Sequence, residues 1–369
     1  MTRPSTARWT LLHFKTLLAI SLVAVAARVL FIAIGCGVQH YTLQQWAAMG
    51  DGLNYIHYAD RIVGNPTEFS AYDARVFPGL PALLGLLTLT GLPAWFGGIA
   101  IGILAGALVS GLTAILCQEL RVGWMLAVFP PIFLVCSVGP TTEPLLLALC
   151  LFAFLVGRNA GLVCLVMAGL AFGCAGTVRP VACFAVLGFI CHELMHRRVW
   201  QPIVIGTIAA CVVALAMLIV HRLTGDALYG IRYYAESDAS YRGDLITWPF
   251  KSLIFTPYYE PVSRFKLVYV WIHVVAVFSA VGVLIQHLRS KAADHDEYVM
   301  DTSMLVWLVG NTLFVLCVGN KWGLQAFPRF ALPALPPMCW AIRRTIPKSI
   351  VWAVIPAVAS FALGLRHIH

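Results

Sequence analysis

The chain has 369 residues, 60% of them hydrophobic and 11% charged, with a mean hydropathy of +0.84. That composition excludes soluble globular, disordered and fibrous classes and leaves a polytopic helical membrane protein, whose backbone polar groups are satisfied inside helices. The net charge of +9 does not call for a nucleic-acid partner, because the basic residues fall in short clusters between apolar stretches, as the positive-inside rule expects.

The N-terminal segment carries Arg3, Arg8 and Lys15 ahead of an apolar run to Cys36. It has the charge layout of a signal peptide, but many apolar stretches follow, so it reads as an uncleaved first helix with a cytoplasmic N-terminus. The first span, about residues 16 to 36, contains Arg28, a costly residue in a bilayer that belongs against protein or a polar cavity. Residues 37 to 76 form a long polar interruption, expected to be the first extracytoplasmic loop and the catalytic one. Within it, Asp51, Tyr55 and Tyr58 fall at i, i+4 and i+7. A helix beginning after Gly50 places all three on one face, with the carboxylate in the first turn, where the helix dipole favours it.

Residues 77 to 118 are almost continuously apolar, with a break near Gly91-Leu92-Pro93. They hold either a kinked span or a span with a re-entrant piece. After Arg121 comes a span from about Trp124 to Val138, interrupted by Pro130-Pro131. Another runs from Glu143 to Val156 and is stopped by Arg158. Stretches at about 161 to 177 and 181 to 195 flank Arg179-Pro180 and end at His196-Arg197-Arg198. A span at about 202 to 221 leads into a second excursion, residues 222 to 265. It is rich in aromatic and charged residues, among them Tyr229, Tyr233, Tyr234, Asp226, Glu236, Trp248 and Tyr258. That excursion reads either as an interfacial aromatic belt or as a binding surface for a polar ligand with stackable faces, such as sugar. The last spans lie at about 266 to 287, 303 to 318, 330 to 342 and 349 to 365. The expected fold is therefore all-α, a single transmembrane domain over residues 1 to 369 with about eleven helices and two extracytoplasmic excursions.

Orientation follows from the basic clusters. Arg121, Arg158, Arg197-Arg198, Arg289 with Lys291, and Arg343-Arg344 with Lys348 fit one side, the cytoplasmic one. The other side then receives Asp51, Tyr55, Tyr58, Asp60, Asp73, Arg75, Glu143, Arg179, Lys321 and Arg329. Isolated polar groups gathered on one side of so apolar a protein imply a cavity there. Arginines suit the bidentate holding of a phosphate, and a carboxylate can take a proton from an attacking hydroxyl. The eleven cysteines are scattered singly without a CxxC pair, as buried free thiols are. The one Asn-x-Ser/Thr triplet, Asn65-Pro66-Thr67, is blocked for glycosylation by its proline, which fits a bacterial source.

Several short motifs resemble those of the membrane-embedded GT-C glycosyltransferases, which include protein O-mannosyltransferases, aminoarabinose transferases and GPI mannosyltransferases. They are Gly50-Asp51-Gly52-x-x-Tyr55-x-x-Tyr58, Arg75-Val76-Phe77-Pro78-Gly79-Leu80-Pro81, Thr142-Glu143-Pro144, Ala175-Gly176-Thr177-Val178-Arg179-Pro180 and Pro328-Arg329-Phe330-Ala331-Leu332-Pro333. They occur in matching order over most of the chain. Where many relatives carry Asp-Glu or Trp-Asp, this chain has Gly50-Asp51-Gly52. The resemblance implies inverting transfer of mannose or another hexose or pentose from a polyprenyl-phosphate-sugar donor to a lipid, glycan or protein acceptor on the extracytoplasmic face. Asp51 is then the catalytic base. Arg179, Arg329 and Lys321 are donor-phosphate ligands, and Tyr55, Tyr58, Asp73, Arg75 and Glu143 line the substrate site. The membrane is the inner membrane of a bacterium or the endoplasmic reticulum of a eukaryote. No motif demands a metal, although a divalent cation could assist the donor phosphate.

Two other functions compete. A lipid or polysaccharide transporter would also need internal charges, but the chain has no inverted repeat and no charge chain crossing the bilayer. His192-Glu193-Leu194-Met195-His196 fits the H-E-x-x-H pattern of zinc metalloproteases. It abuts Arg197-Arg198 on the cytoplasmic side and lacks an evident third ligand.

Overall fold

Apolar runs bounded by Gly, Pro and charged residues become helices, and no β-strand occurs among the described residues. The computed structural model describes residues 11–66, 73–159, 161–233, 246–251, 264–290, 294–317 and 327–346, with a few single positions besides. In order the helices are α1 (Leu11–Gln39), α2 (Leu43–Ala47), α3 (Gly52–Ile62), α4 (Gly79–Leu89), α5 (Ala94–Cys117), α6 (Leu120–Val128), α7 (Pro131–Cys136) and α8 (Thr142–Gly157). Then come α9 (Leu162–Val178), α10 (Ala182–Met195), α11 (Trp200–Thr224), α12 (Arg264–Arg289), α13 (His295–Cys317), α14 (Phe327–Phe330) and α15 (Leu335–Ile342). Short 3-10 turns at Asp73–Arg75 and Leu332–Ala334 precede α4 and α15. The expected last span, 349 to 365, lies outside the described residues, apart from single positions.

Five helices, α1, α5, α11, α12 and α13, are long and apolar enough to cross a membrane, and α4, α8, α9 and α10 are shorter apolar helices. The ambiguity between residues 77 and 118 resolves into two helices of unequal length. α4 has 11 residues, a rise of about 16 Å against a hydrocarbon core of about 30 Å. It packs on α3 and α5, so of that stretch only the 24-residue α5 has the length to cross.

The break between α6 and α7 follows from its prolines. Pro131 has no N–H, so the Ala127 carbonyl loses its helical partner. Arg28 from α1 supplies one. Its Nη1 donates to Ala127 O at 3.1 Å and to Ala24 O at 2.9 Å, and its Nε donates to Ser137 Oγ at 2.7 Å. The guanidinium is fully buried and lies over the Phe133 ring. The expected interior place for Arg28 thus has a specific task, to cap the broken helix. Gly98, Gly102 and Gly106 form a small-residue stripe on α5 that admits the turn at 137–140 to close contact. Trp46 Nε1 fixes the same turn by donating to Val138 O at 2.9 Å.

Contacts sort the helix ends into two groups. At one end Arg121 donates to Ile346 O, Arg198 to Arg158 O and Arg344 to Glu297, while the His196 ring meets that of His295. These are the residues assigned to the basic side. At the opposite end lie the start of α3, the start of α8, the end of α9 and α14. Between the two ends the core is filled by Leu147, Leu151, Phe154, Phe172, Phe189 and Trp307. The Phe154 and Trp307 rings stack at 6.2 Å. All eleven cysteines are free thiols.

Candidate active site

Three prolines and two glycines explain how the site is presented. Gly50 has φ +58°, a left-handed conformation that side chains other than glycine adopt at a cost. Gly52 has no room for a Cβ, which would lie 1.9 Å from Ala47 O and 3.0 Å from Pro140 Cγ. Together they turn the chain sharply at Asp51, which becomes the N-cap of α3 rather than a first-turn residue. Its side chain makes no capping bond, so the carboxylate is free to point elsewhere. Arg75 closes the 3-10 turn ahead of Pro78. Pro180 disfavours helical geometry at the residue before it. Arg179 is accordingly extended, with φ −156° and ψ 135°, and leaves the end of α9. Pro144 follows Glu143 in the first turn of α8, where a missing N–H costs nothing.

These segments bring five charged groups together. Arg75 Nη2 donates to Asp51 Oδ1 at 3.1 Å, and Arg329 Nη1 donates to Asp51 Oδ2 at 2.9 Å. Arg329 Nε donates to Glu143 Oε1, an oxygen that Arg179 Nη2 also reaches at 2.9 Å. Arg179 lies over the Phe330 ring, 5.5 Å from its centroid. Glu143 is fully buried, Arg75 nearly so, and Asp51, Arg179 and Arg329 are half-buried. Two carboxylates and three guanidiniums leave the cluster one positive charge in excess. Burial alone would push the Asp51 carboxyl up, but Arg329, with Arg75 and Arg179 behind it, holds it below the ordinary carboxylate range. Tyr55 is buried beside this cluster, and burial together with the Asp51 carboxylate pushes its phenol up to about 12. It is a hydrogen-bond donor at neutral pH and not a base.

Other expected site residues lie elsewhere. Tyr58 packs with Ala59, Leu80 and Leu84 in the apolar contact between α3 and α4, a cluster that Tyr55 also joins. Asp73 accepts from Ser70 N at 2.9 Å and from Ser70 Oγ at 2.7 Å, with His57 Nδ1 at 3.6 Å. It shapes the turn that presents Arg75 and does not join the cluster. Asp60 accepts from Asn65 Nδ2. Lys321 lies outside the described residues, as do Tyr234, Glu236 and Tyr258 of the second excursion. Tyr229 and Tyr233, which are described, tilt against each other at 6.1 Å.

The H-E-x-x-H motif sits at the opposite end of the molecule. His192 Nδ1 is 2.8 Å from Glu193 Oε1, and the His192 and His196 rings are 4.7 Å apart. The glutamate is thus engaged by its own neighbour. Among the described residues no group of three His, Cys, Asp or Glu side chains is arranged to hold a metal ion.

Beside the charged cluster an apolar cavity of about 650 Å³ opens between the turn before α4, the end of α9, α10 and α11. Ala74 and Val76, which flank Arg75, and Thr177 and Pro180, near Arg179, form its upper wall. Leu187, Val213 and Met217 continue it along the helices. The sequence offered no sign of this cavity, because its lining is ordinary apolar helix surface.

Because Gly52 has no space for a side chain, Gly52→Ala must displace the backbone that aims Asp51. We expect any reaction that uses the Asp51 carboxylate to slow by about a hundredfold, the effect of misplacing a reacting group by roughly 1 Å. Activity and melting temperature, measured together on purified protein, check this, and unaltered activity would show that the turn tolerates the methyl.

No protein-family model and no curated protein matches the chain. Among solved structures it is similar to the archaeal oligosaccharyltransferase AglB from Archaeoglobus fulgidus, determined in complex with an inhibitory peptide and a dolichol-phosphate. The TM-score is 0.49 at 11% sequence identity, over 97% of this chain and 56% of that one. The chain therefore spans little more than half the length of that protein.

Proposed function

We propose that the chain is a GT-C-type glycosyltransferase that moves a sugar from a polyprenyl-phosphate donor to an acceptor hydroxyl, with inversion at the anomeric carbon and Asp51 as base. The observation that carries the reading is the convergence of Asp51, Arg75, Glu143, Arg179 and Arg329, next to an apolar cavity lined by Ala74 and Val76 on either side of Arg75 and by Pro180 beside Arg179. Such a site suits a ligand with an anionic head and a long hydrocarbon tail. The guanidiniums offer the charge-assisted donors that a departing phosphate needs, and the cavity accepts the isoprenoid chain. In this reading the acceptor oxygen attacks the anomeric carbon from the face opposite the phosphate. Asp51 takes its proton, and the C–O bond to the lipid phosphate breaks. The site lies on the extracytoplasmic face, because the opposite end of the bundle carries the basic clusters. Counting α6 with α7 and α14 with α15 as broken spans, and the stretch 349 to 365 as one more, gives eleven crossings.

The test is transfer by purified protein in lipid nanodiscs supplied with polyprenyl-phosphate sugars and simple acceptors. Sugar-dependent release of polyprenyl phosphate is the expected result, and movement of lipid across the bilayer without covalent transfer would instead establish a transporter. The cavity makes its own prediction. Val213→Trp should raise the KM for long-chain donors about tenfold, the effect of about 1.4 kcal/mol of lost packing. Short-chain donors that do not reach Val213 should be used normally, and equal losses for both would place the tail elsewhere.

A further inference from the structure

Asp51 as it stands is poorly placed to accept a proton. Each of its oxygens is taken by a guanidinium, Oδ1 by Arg75 at 3.1 Å and Oδ2 by Arg329 at 2.9 Å. Arg329 also serves Glu143 through Nε, so it stands astride both carboxylates. Two polar atoms of this group are buried without a hydrogen-bond partner among the described residues, Arg329 Nη2 and Glu143 Oε2. An unmet donor on the shared arginine is a place for an anion, since buried polar groups are otherwise paired. The excess positive charge of the cluster matches the single charge of a phosphodiester.

We propose that the donor's phosphate draws Arg329 away from Asp51, so that the base is released only once the donor is seated; this rests on the glycosyltransferase reading above. Arg329 can turn its Nη1 and Nη2 to the phosphate oxygens while Nε stays on Glu143, so no buried charge is left bare during the exchange. Asp51 Oδ2 then faces the acceptor hydroxyl. As the new O–C bond forms, the hydroxyl proton passes to Oδ2. The electron pair of the breaking C–O bond leaves on the lipid phosphate, which Arg329 and Arg179 hold. When the lipid departs, Arg329 returns and expels the proton to water. The consequence is order: donor before acceptor, with no active base in the empty enzyme.

The groups facing Asp51 are Tyr55 on its own helix, Arg75 on the 3-10 turn, Glu143 on α8, Arg179 on α9 and Arg329 on α14. Withdrawal of Arg329 raises the proton affinity of Asp51 by removing its main cationic neighbour, while the Tyr55 phenol, already raised, moves further from the acid range. Binding of the phosphate is therefore linked to proton uptake in the acid range. The probe is a polyprenyl methyl phosphodiester, whose own single charge does not titrate there. Its affinity for the wild-type protein in nanodiscs should strengthen as pH falls below neutrality. Asp51→Asn should bind it about tenfold more tightly at neutral pH, because the competitor for Arg329 is gone, and should lose the pH dependence. Asp51→Ser serves as a second variant if the asparagine fails to fold. Equal or weaker binding by both variants, or the same pH slope as wild type, overturns the release mechanism while leaving the transferase reading in place. Failure of the wild-type protein to bind the probe at any pH overturns both.

Discussion

Asp51→Asn should reduce sugar transfer by a factor of about 10²–10⁴, the range that a positioned general base contributes, with only a small change in melting temperature. Asparagine keeps the shape and one acceptor oxygen, and Asp51 makes no side-chain capping bond whose loss would unravel α3. The side chain is also half-buried rather than fully enclosed, and Arg329 keeps Glu143 as a counter-ion when the charge of Asp51 is lost. The measurement is initial rate on membranes or nanodiscs, normalised to folded protein. Full activity in the asparagine variant would remove Asp51 from the chemistry. The pH profile adds a second check whose sign follows from the geometry. The base must be ionised, so activity falls on the acid side. In the empty enzyme Arg329 holds the carboxyl below its ordinary range, which places the acid limb of kcat/KM low. In the proposed donor complex Arg329 faces the phosphate, and on that mechanism the acid limb of kcat lies at higher pH. The two profiles report the free and the bound enzyme respectively, and coincident limbs would argue against any change at Arg329.

The gathering of charges was legible in the sequence for a simple reason. In a chain with 11% charged residues and long apolar runs, an isolated arginine or carboxylate at the end of a run has few partners except others at the same end. Asp51, Arg75, Glu143, Arg179 and Arg329 could be named on that basis only within a wider set that also held Tyr55, Tyr58, Asp60, Asp73 and Lys321, with short motifs adding order. The pairing within the set was not legible, because it depends on backbone direction at single residues. Pro180 throws Arg179 out of its helix, and the two glycines around Asp51 turn its carboxylate away from the helix it caps. Asp73 and Arg75 are two residues apart in a 3-10 turn, yet one closes the turn while the other enters the site. Tyr55 and Tyr58 share a helix face by spacing and both belong to the apolar cluster with Leu80 and Leu84 of α4, but Tyr55 also feels the charge of Asp51. The length of α4 was obscured because a short buried helix and half of a kinked span have the same composition. The place of Arg28 could be read only as interior. Its task depends on the carbonyl that Pro131 leaves unpaired 99 positions away.

Glu143→Ala should have the largest effect on stability of any single change in the site. Glu143 is fully buried, and its Oε1 receives both Arg179 and Arg329. Removing it raises the excess charge of the cluster from one to two and strips the main counter-ion from two arginines in an apolar surrounding. Breaking a buried pair by removing one partner costs roughly 3–5 kcal/mol, because the remaining charge has nowhere to be solvated. Glu143→Gln should fall between, since it retains the shape and an acceptor but not the charge. Thermal unfolding of the detergent-solubilised variants gives the ranking directly. The same experiment with added polyprenyl phosphate separates a structural from a binding role. A ligand that binds only the folded state stabilises it by mass action, and in the alanine variant it also supplies the missing negative charge. Its stabilising increment should therefore be larger for Glu143→Ala than for the wild-type protein. An alanine variant that melts with the wild type would mean that Arg179 and Arg329 find another anion, and the cluster would then have to be redrawn around it.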